Sequence, residues 1–361
     1  MADYKNQHFV PRCYLKRFSL NAEGRCINVY NVKRRQVYRN APVKNQCSGN
    51  YFYGKDLRLE KLLQKEEKLY DNIINTILQE HNETNSIYEN NLRRFSYLQY
   101  CRTEYAARRF AQAMHDMITI AREKNKTFDW KAFRQEAIIE SMTLFAGTID
   151  MIDDLQVCLA RNVTDRPFIT SDDPAVLTNR WYAQKSLARG KSGGIASAGA
   201  ILLLPISPRC VVIIYDGGVY KIHKQSGWAT VHKYDDIDAF NQLQILNCST
   251  NIYFSDWRYL NYISEQTENN IAFRLPERHK INTAVLVKKT ATEKIYRTVS
   301  RDELTGHSEI LVHVQNITPS PSRWPSIINW SVRPKVFSNG SGEGFIRRAQ
   351  AEREVGYWNV C

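Results

Sequence analysis

No run of about eighteen apolar residues occurs anywhere in the chain, so no segment reads as a transmembrane helix and no membrane partner is expected. There is no C-x-x-C pair among the eight cysteines (Cys13, Cys26, Cys47, Cys101, Cys158, Cys210, Cys248 and Cys361). Their scatter argues against a zinc knuckle or a thioredoxin-type centre and for reduced cysteines in a core. The Gly- and Ser-rich stretch from Gln184 to Gly199 holds no G-x-x-x-x-G-K-[ST], which excludes a P-loop there. It reads as an exposed loop, with a lid over the Asp172 region as the functional alternative. No PD-(D/E)xK or HNH nuclease signature is present, and no internal repeat. The first residues, Met1 to Asn6, lack the apolar core of a signal peptide, so a cytoplasmic protein is expected.

Acids are also in short supply. Thirty-seven Asp and Glu stand against 50 Lys and Arg in 361 residues, a formal net charge of +13. The excess is local: residues 1–50 carry ten Lys and Arg against only Asp3 and Glu23. Arg12, Lys16, Arg17, Lys33, Arg34 and Arg35, interleaved with Tyr14, Phe18, Tyr30 and Tyr38, are the set expected to hold a phosphate backbone and stack bases. A solvated basic face that serves solubility is the plainer reading.

The two acids that stand out are adjacent. Phe168-Ile169-Thr170-Ser171-Asp172-Asp173-Pro174 is a short apolar run delivering Asp172 and Asp173 into a turn that Pro174 keeps from continuing as a strand. Carboxylates at a strand end suit metal or proton chemistry, and equally an Asx-turn with a helix cap. His8 precedes a short helix expected from Pro11, whose N-terminus favours the neutral imidazole. It is a base or metal ligand on one reading, and a helix cap or the filler of a polar core gap on the other.

Periodicity predicts a hairpin over Cys26 to Arg39, then helices over about Leu57 to Glu80, Asn91 to Lys124 and Trp130 to Met151. On the first helix Glu66 shares a stripe with Leu62, Leu69, Ile73 and Ile77. On the second, Gln99 and Arg102 fall inward. A Glu66–Arg102 pair follows, either a structural ion pair or a base with a phosphate clamp. Ala200 to Ile206, Cys210 to Tyr215 and Val219 to Ile222 read as a β-meander. A helix is expected at Ile237 to Ile245, and strands at Asn251 to Phe254, Thr283 to Val287 and Ile310 to Val314. The expected fold is α+β, a mid-chain helical bundle (about 57–152) packed on a mostly antiparallel sheet. Residues 1–320 form one interleaved domain on this reading. Residues 321–361 form a Pro-rich connection and an appendage that docks on a protein partner, on a second copy or on the chain itself.

Taken together, QHFVPRCYLKRF, YFYG, LEKLLQKEE, QYCRTEYA, FITSDDPAV, LLLPISPRCVVIIY and NQLQILNCSTNIYFSD resemble one bacterial family, the domain-of-unknown-function family 4238. Its members show Gln-His-x-Val-Pro and Phe-Ile-Thr-Ser-Asp-x-Pro. The resemblance covers roughly residues 6 to 260. It implies no activity, only a set of polar positions, here Gln7, His8, Pro11, Glu60, Glu66, Arg102, Ser171, Asp172 and Pro174. Asp173 stands where the family commonly has Asn.

The leading functional expectation is a metal-dependent nuclease or related phosphodiesterase, an effector of bacterial anti-phage defence. Glu66, Asp172 and Asp173 would hold Mg2+ or Mn2+, His8 would act as base or ligand, and Arg102 would neutralise phosphate charge. Two alternatives stay open. One is a non-catalytic sensor of nucleic acid or a phage component, working with a partner protein. The other is an enzyme on free nucleotides, which needs a deep pocket rather than an open groove.

Overall fold

Two apolar runs, Ile201–Ser207 and Cys210–Tyr215, pair antiparallel at the centre of the molecule. Leu202, Leu204, Val212 and Ile214 face one hydrophobic core, while Ile201, Leu203, Val211 and Ile213 face another. Burial on both faces is why these strands are apolar at every position rather than at alternate ones. The structure is a computed structural model that describes residues 5–80, 84–122, 129–188, 191, 193–291, 293–341 and 344–360.

In chain order the N-terminal part holds β1 (Asn6–His8), α1 (Arg12–Lys16), β2 (Cys26–Asn31), β3 (Gln36–Pro42) and β4 (Ser48–Asn50). The helical part follows as α2 (Arg58–Glu80), α3 (Ser86–Arg102), α4 (Glu104–Arg122) and α5 (Trp130–Thr148). Next come β5 (Gln156–Asn162), β6 (Thr170–Ser171), β7 (Val176–Thr178), α6 (Arg180–Gln184), β8 (Ile201–Ser207), β9 (Cys210–Tyr215), β10 (Tyr220–Lys221) and β11 (Trp228–Val231). The chain continues through α7 (Tyr234–Asn247), β12 (Asn251–Phe254), α8 (Leu260–Ile271), β13 (His279–Lys289), β14 (Lys294–Val299) and β15 (Ile310–Asn316).

The central sheet runs β11-β5-β9-β8-β7, antiparallel except where β11 joins β5. A second sheet, β3-β2-β12-β6, joins the first hairpin to strands from the middle and the far end of the family-like region. This is an α+β architecture, as the sequence suggests, with the helices of the mid-chain bundle packed on one face of the central sheet and α7 on the other. No helix among the described residues is long and apolar enough to cross a membrane.

Three expectations need correction. The helix expected over 91–124 is two helices, broken at Thr103, whose backbone is extended and whose hydroxyl accepts the Ala106 N–H at 3.0 Å. That hydroxyl caps α4 and offers the backbone an alternative to continuing the helix. A strand, β14, fills the gap between the two predicted C-terminal strands. The third run of the expected meander pairs with the tail, Tyr220–Lys221 against Asn329–Trp330, and not with β9. The tail itself docks on the chain: Trp324, Ile328, Val336 and Phe345 are buried in the second core. The guanidinium of Arg347, itself buried, binds both oxygens of Asp154 at 2.8 and 3.0 Å and donates to the Met151 and Ile195 carbonyls. Of the expected lid, residues 189, 190 and 192 lie outside the described residues. Its end is anchored, with the Ala198 N–H donating to the Phe345 carbonyl at 3.0 Å.

Candidate functional site

The paired acids sit where β6 leaves its partner β12 and Pro174 ends the strand. Asp172 turns toward the loop between α7 and β12. Its Oδ1 accepts the Ser249 N–H at 2.8 Å, and its Oδ2 accepts those of Thr250 at 2.8 Å and Asn251 at 3.0 Å. Burial raises its pKa to about 6, the backbone donors opposing the rise and the neighbouring Asp173 adding to it. Asp173, fully buried, turns the other way. Thr103 donates to its Oδ1 at 2.6 Å, Asn247 to its Oδ2 at 3.1 Å, and Arg109 lies 3.2 Å from Oδ2. Burial also raises the Asp173 pKa, with Arg109 the main opposing charge.

His8 and Arg102 do meet, through backbone rather than ring. Arg102 Nη2 donates to the His8 carbonyl at 2.9 Å and to Glu67 Oε1 at 2.7 Å, and Nε donates to the Tyr53 hydroxyl at 2.9 Å. The partner is thus Glu67, while Glu66, one residue earlier, is exposed to solvent. A step of one residue turns a helix by about 100°, so Glu66 as base, metal ligand or partner of Arg102 is corrected. The His8 ring is partly buried, and its Nε2 has no hydrogen-bond partner among the described residues. Burial, then the Arg12 charge, lowers its pKa to about 4, so the neutral imidazole expected from the sequence stands.

The Mg2+ or Mn2+ set of Glu66, Asp172 and Asp173 does not fit a metal. Glu66 is elsewhere, and the oxygens of the two aspartates already accept protein donors that a cation would have to displace. No group of three or more His, Cys, Asp or Glu that could hold a metal ion exists among the described residues. The motif segments instead hold one another. Gln7 accepts the Tyr53 N–H at 2.6 Å and donates to the Gly54 carbonyl at 3.2 Å, and the Tyr14 hydroxyl contacts Thr170 Oγ1 at 2.6 Å. With Arg102 and Thr103 consecutive, one turn of chain links the N-terminal segment to the acid pair.

The basic residues divide differently. Arg17 is buried, bonded to Asp71 at 2.7 Å and to Asn75 at 3.0 Å, so it leaves the expected phosphate-binding set. Arg12, Lys16, Lys33, Arg34 and Arg35 are exposed, and Arg35 lies 3.4 Å from Glu268. Tyr14, Phe18 and Tyr30 are core residues; of the expected stacking set only Tyr38, 41% exposed, reaches the surface. Sequence reasoning missed Thr103, Arg109, Asn247 and Arg278, the residues around Asp173. Thr103 alone left a trace, a capping residue inside a helical pattern without Gly or Pro.

No curated protein and no solved structure matches the chain. Residues 6–257 match the family described as "Protein of unknown function (DUF4238)", and the chain belongs to that family.

Proposed function

We propose that the protein binds nucleic acid through its phosphates without cutting it, as the sensing component of a defence system would. The observation that carries this reading is how the charges are used. Asp172, Asp173 and Arg102 are engaged in hydrogen bonds inside the fold, whereas nine of the ten Lys and Arg among residues 1–50 are exposed.

Five of these cations lie at the two ends of the first hairpin. Arg25 and Lys44 meet near α1, where the Val43 N–H donates to the Arg25 carbonyl, and Lys33, Arg34 and Arg35 form the opposite turn. Six strand residues separate the ends by about 20 Å, which corresponds to roughly six base pairs at the ~3.4 Å rise of a duplex strand. With three of the four expected aromatic side chains in the core, binding falls on the backbone and carries little sequence preference.

The test is fluorescence anisotropy of labelled DNA and RNA duplexes against salt concentration. Binding should weaken with a log–log slope of roughly −0.9 for each phosphate neutralised, and the oligonucleotide should stay intact with Mg2+ present. Absence of binding at low salt overturns the reading. Fragments that appear with Mg2+ and vanish with a chelator would return the chain to the nucleases.

A further inference from the structure

On the far side of Asp173 from its backbone turn, α3, α4 and α5 meet the start of β13 and the end of β15 around a cavity of about 370 Å3. That volume is at the small-molecule end of the range of ligand pockets, ~300–1,000 Å3. Tyr97, Tyr100, Phe110 and Leu144 supply much of the wall, and the basic side chains on it are Arg109, Arg278 and His279. The enclosure is formed jointly by the family-matched segment and by residues beyond 257, Arg278 among them.

The charges there do not balance. His279 is answered by Asp116 at 2.8 Å. Arg109 and Arg278 share the single carboxylate of Asp173, which lies 3.2 Å from Arg109 and reaches Arg278 only as a weaker, more distant charge. Arg278 is 7% exposed; it donates to the Leu246 carbonyl and bonds Tyr105, yet its buried Nε has no hydrogen-bond partner among the described residues. Burial first, and then the Arg109 charge, lowers its pKa. A buried cation in excess beside a cavity, with Arg109 on the same wall, is costly until an anion meets it.

We propose that this cavity binds a small organic anion, its phosphate or carboxylate head against Arg278 and Arg109 and its ring-bearing apolar body among Tyr97, Tyr100 and Phe110. The planar guanidinium fork suits either head group, and the tyrosine rings offer faces and edges to a second ring. A polymer does not fit the enclosure, so this site is separate from the exposed hairpin.

The test uses the full chain and five probes: phenyl phosphate, benzoate, adenosine monophosphate, phenol and inorganic phosphate. Thermal unfolding and titration calorimetry should show stabilisation by at least one of the first three and none by phenol, with inorganic phosphate weaker than the best ring-bearing anion. The stronger of phenyl phosphate and benzoate identifies the head group. Arg278→Met should weaken binding at least tenfold, while the ligand-free variant melts at or above the wild-type temperature, as removal of an unbalanced buried charge permits. Should Arg278→Met fail to fold, Ala113→Leu, which narrows the cavity from its α4 wall, should abolish binding. In either variant, duplex binding through Lys33, Arg34 and Arg35 should be unchanged. The proposal is overturned if none of the three anions binds at millimolar concentration, or if binding persists at wild-type strength in the folded variants.

Discussion

Arg102 donates to Glu67 across 2.7 Å, and Glu66 stands in solvent beside it. The Arg102 side chain is wholly inaccessible and Glu67 about one-fifth exposed, so the pair is a fastening between α2 and the end of α3. Glu66→Gln should change the free energy of unfolding by less than about 0.5 kcal/mol. Glu67→Gln should cost about 1–3 kcal/mol by weakening a charge-assisted bond, and Arg102→Ala about 3–5 kcal/mol by breaking a buried pair. Urea unfolding of the three variants measures this order; equal losses at Glu66 and Glu67 would refute it.

Asp172 fastens three backbone N–H groups, those of Ser249, Thr250 and Asn251. Asp172→Ala should therefore destabilise by about 1–3 kcal/mol, since it leaves three half-buried donors without their acceptor. Hydrogen exchange should rise first at residues 249–251. A variant of unaltered stability would assign the carboxylate to something other than holding this loop.

His8 makes a prediction with a definite sign. Its pKa is about 4 in the fold against an ordinary 6.5. Between those values the unfolded chain carries the extra proton, so the stability His8 contributes is full above pH 6.5 and is lost as pH falls toward 4. Asp172, raised to about 6, acts with the opposite sign: its contribution is full below the ordinary carboxylate pKa and is lost as pH rises through 6. The two are separated by following the His8 ring proton by NMR. Its midpoint should lie near pH 4 and rise in Arg12→Ala, because the Arg12 charge is the second cause of the depression. A midpoint near 6.5 in the folded protein would contradict the buried setting.

Much of the fold was legible because burial left a strong pattern. The runs that became β8 and β9 were continuous in apolar residues, and the hairpin of β2 and β3 and the helices from 57 to 152 each matched a period. The phase of α2 was not legible. Leu62 and Leu63, Leu69 and Tyr70, and Ile73 and Ile74 offer two adjacent stripes. Packing buries Leu63, Tyr70 and both Ile73 and Ile74, leaving Leu62 60% and Leu69 46% exposed and carrying Glu67 inward in place of Glu66. The motif residues were found but the choice between their structural and chemical readings was not legible, since a carboxylate answering backbone N–H groups and one answering a metal look alike in sequence. Arg109 and Arg278 had no local signal, because what makes them notable is their meeting beside Asp173.

The division between inward acids and outward cations is tested most directly on the hairpin turn. In Lys33→Glu/Arg34→Glu/Arg35→Glu, duplex affinity at about 0.1 M salt should fall at least tenfold, with a log–log salt slope shallower by roughly 0.9 for each phosphate no longer neutralised, while the unfolding midpoint stays at the wild-type value. Wild-type affinity and slope in the folded triple variant would contradict that division.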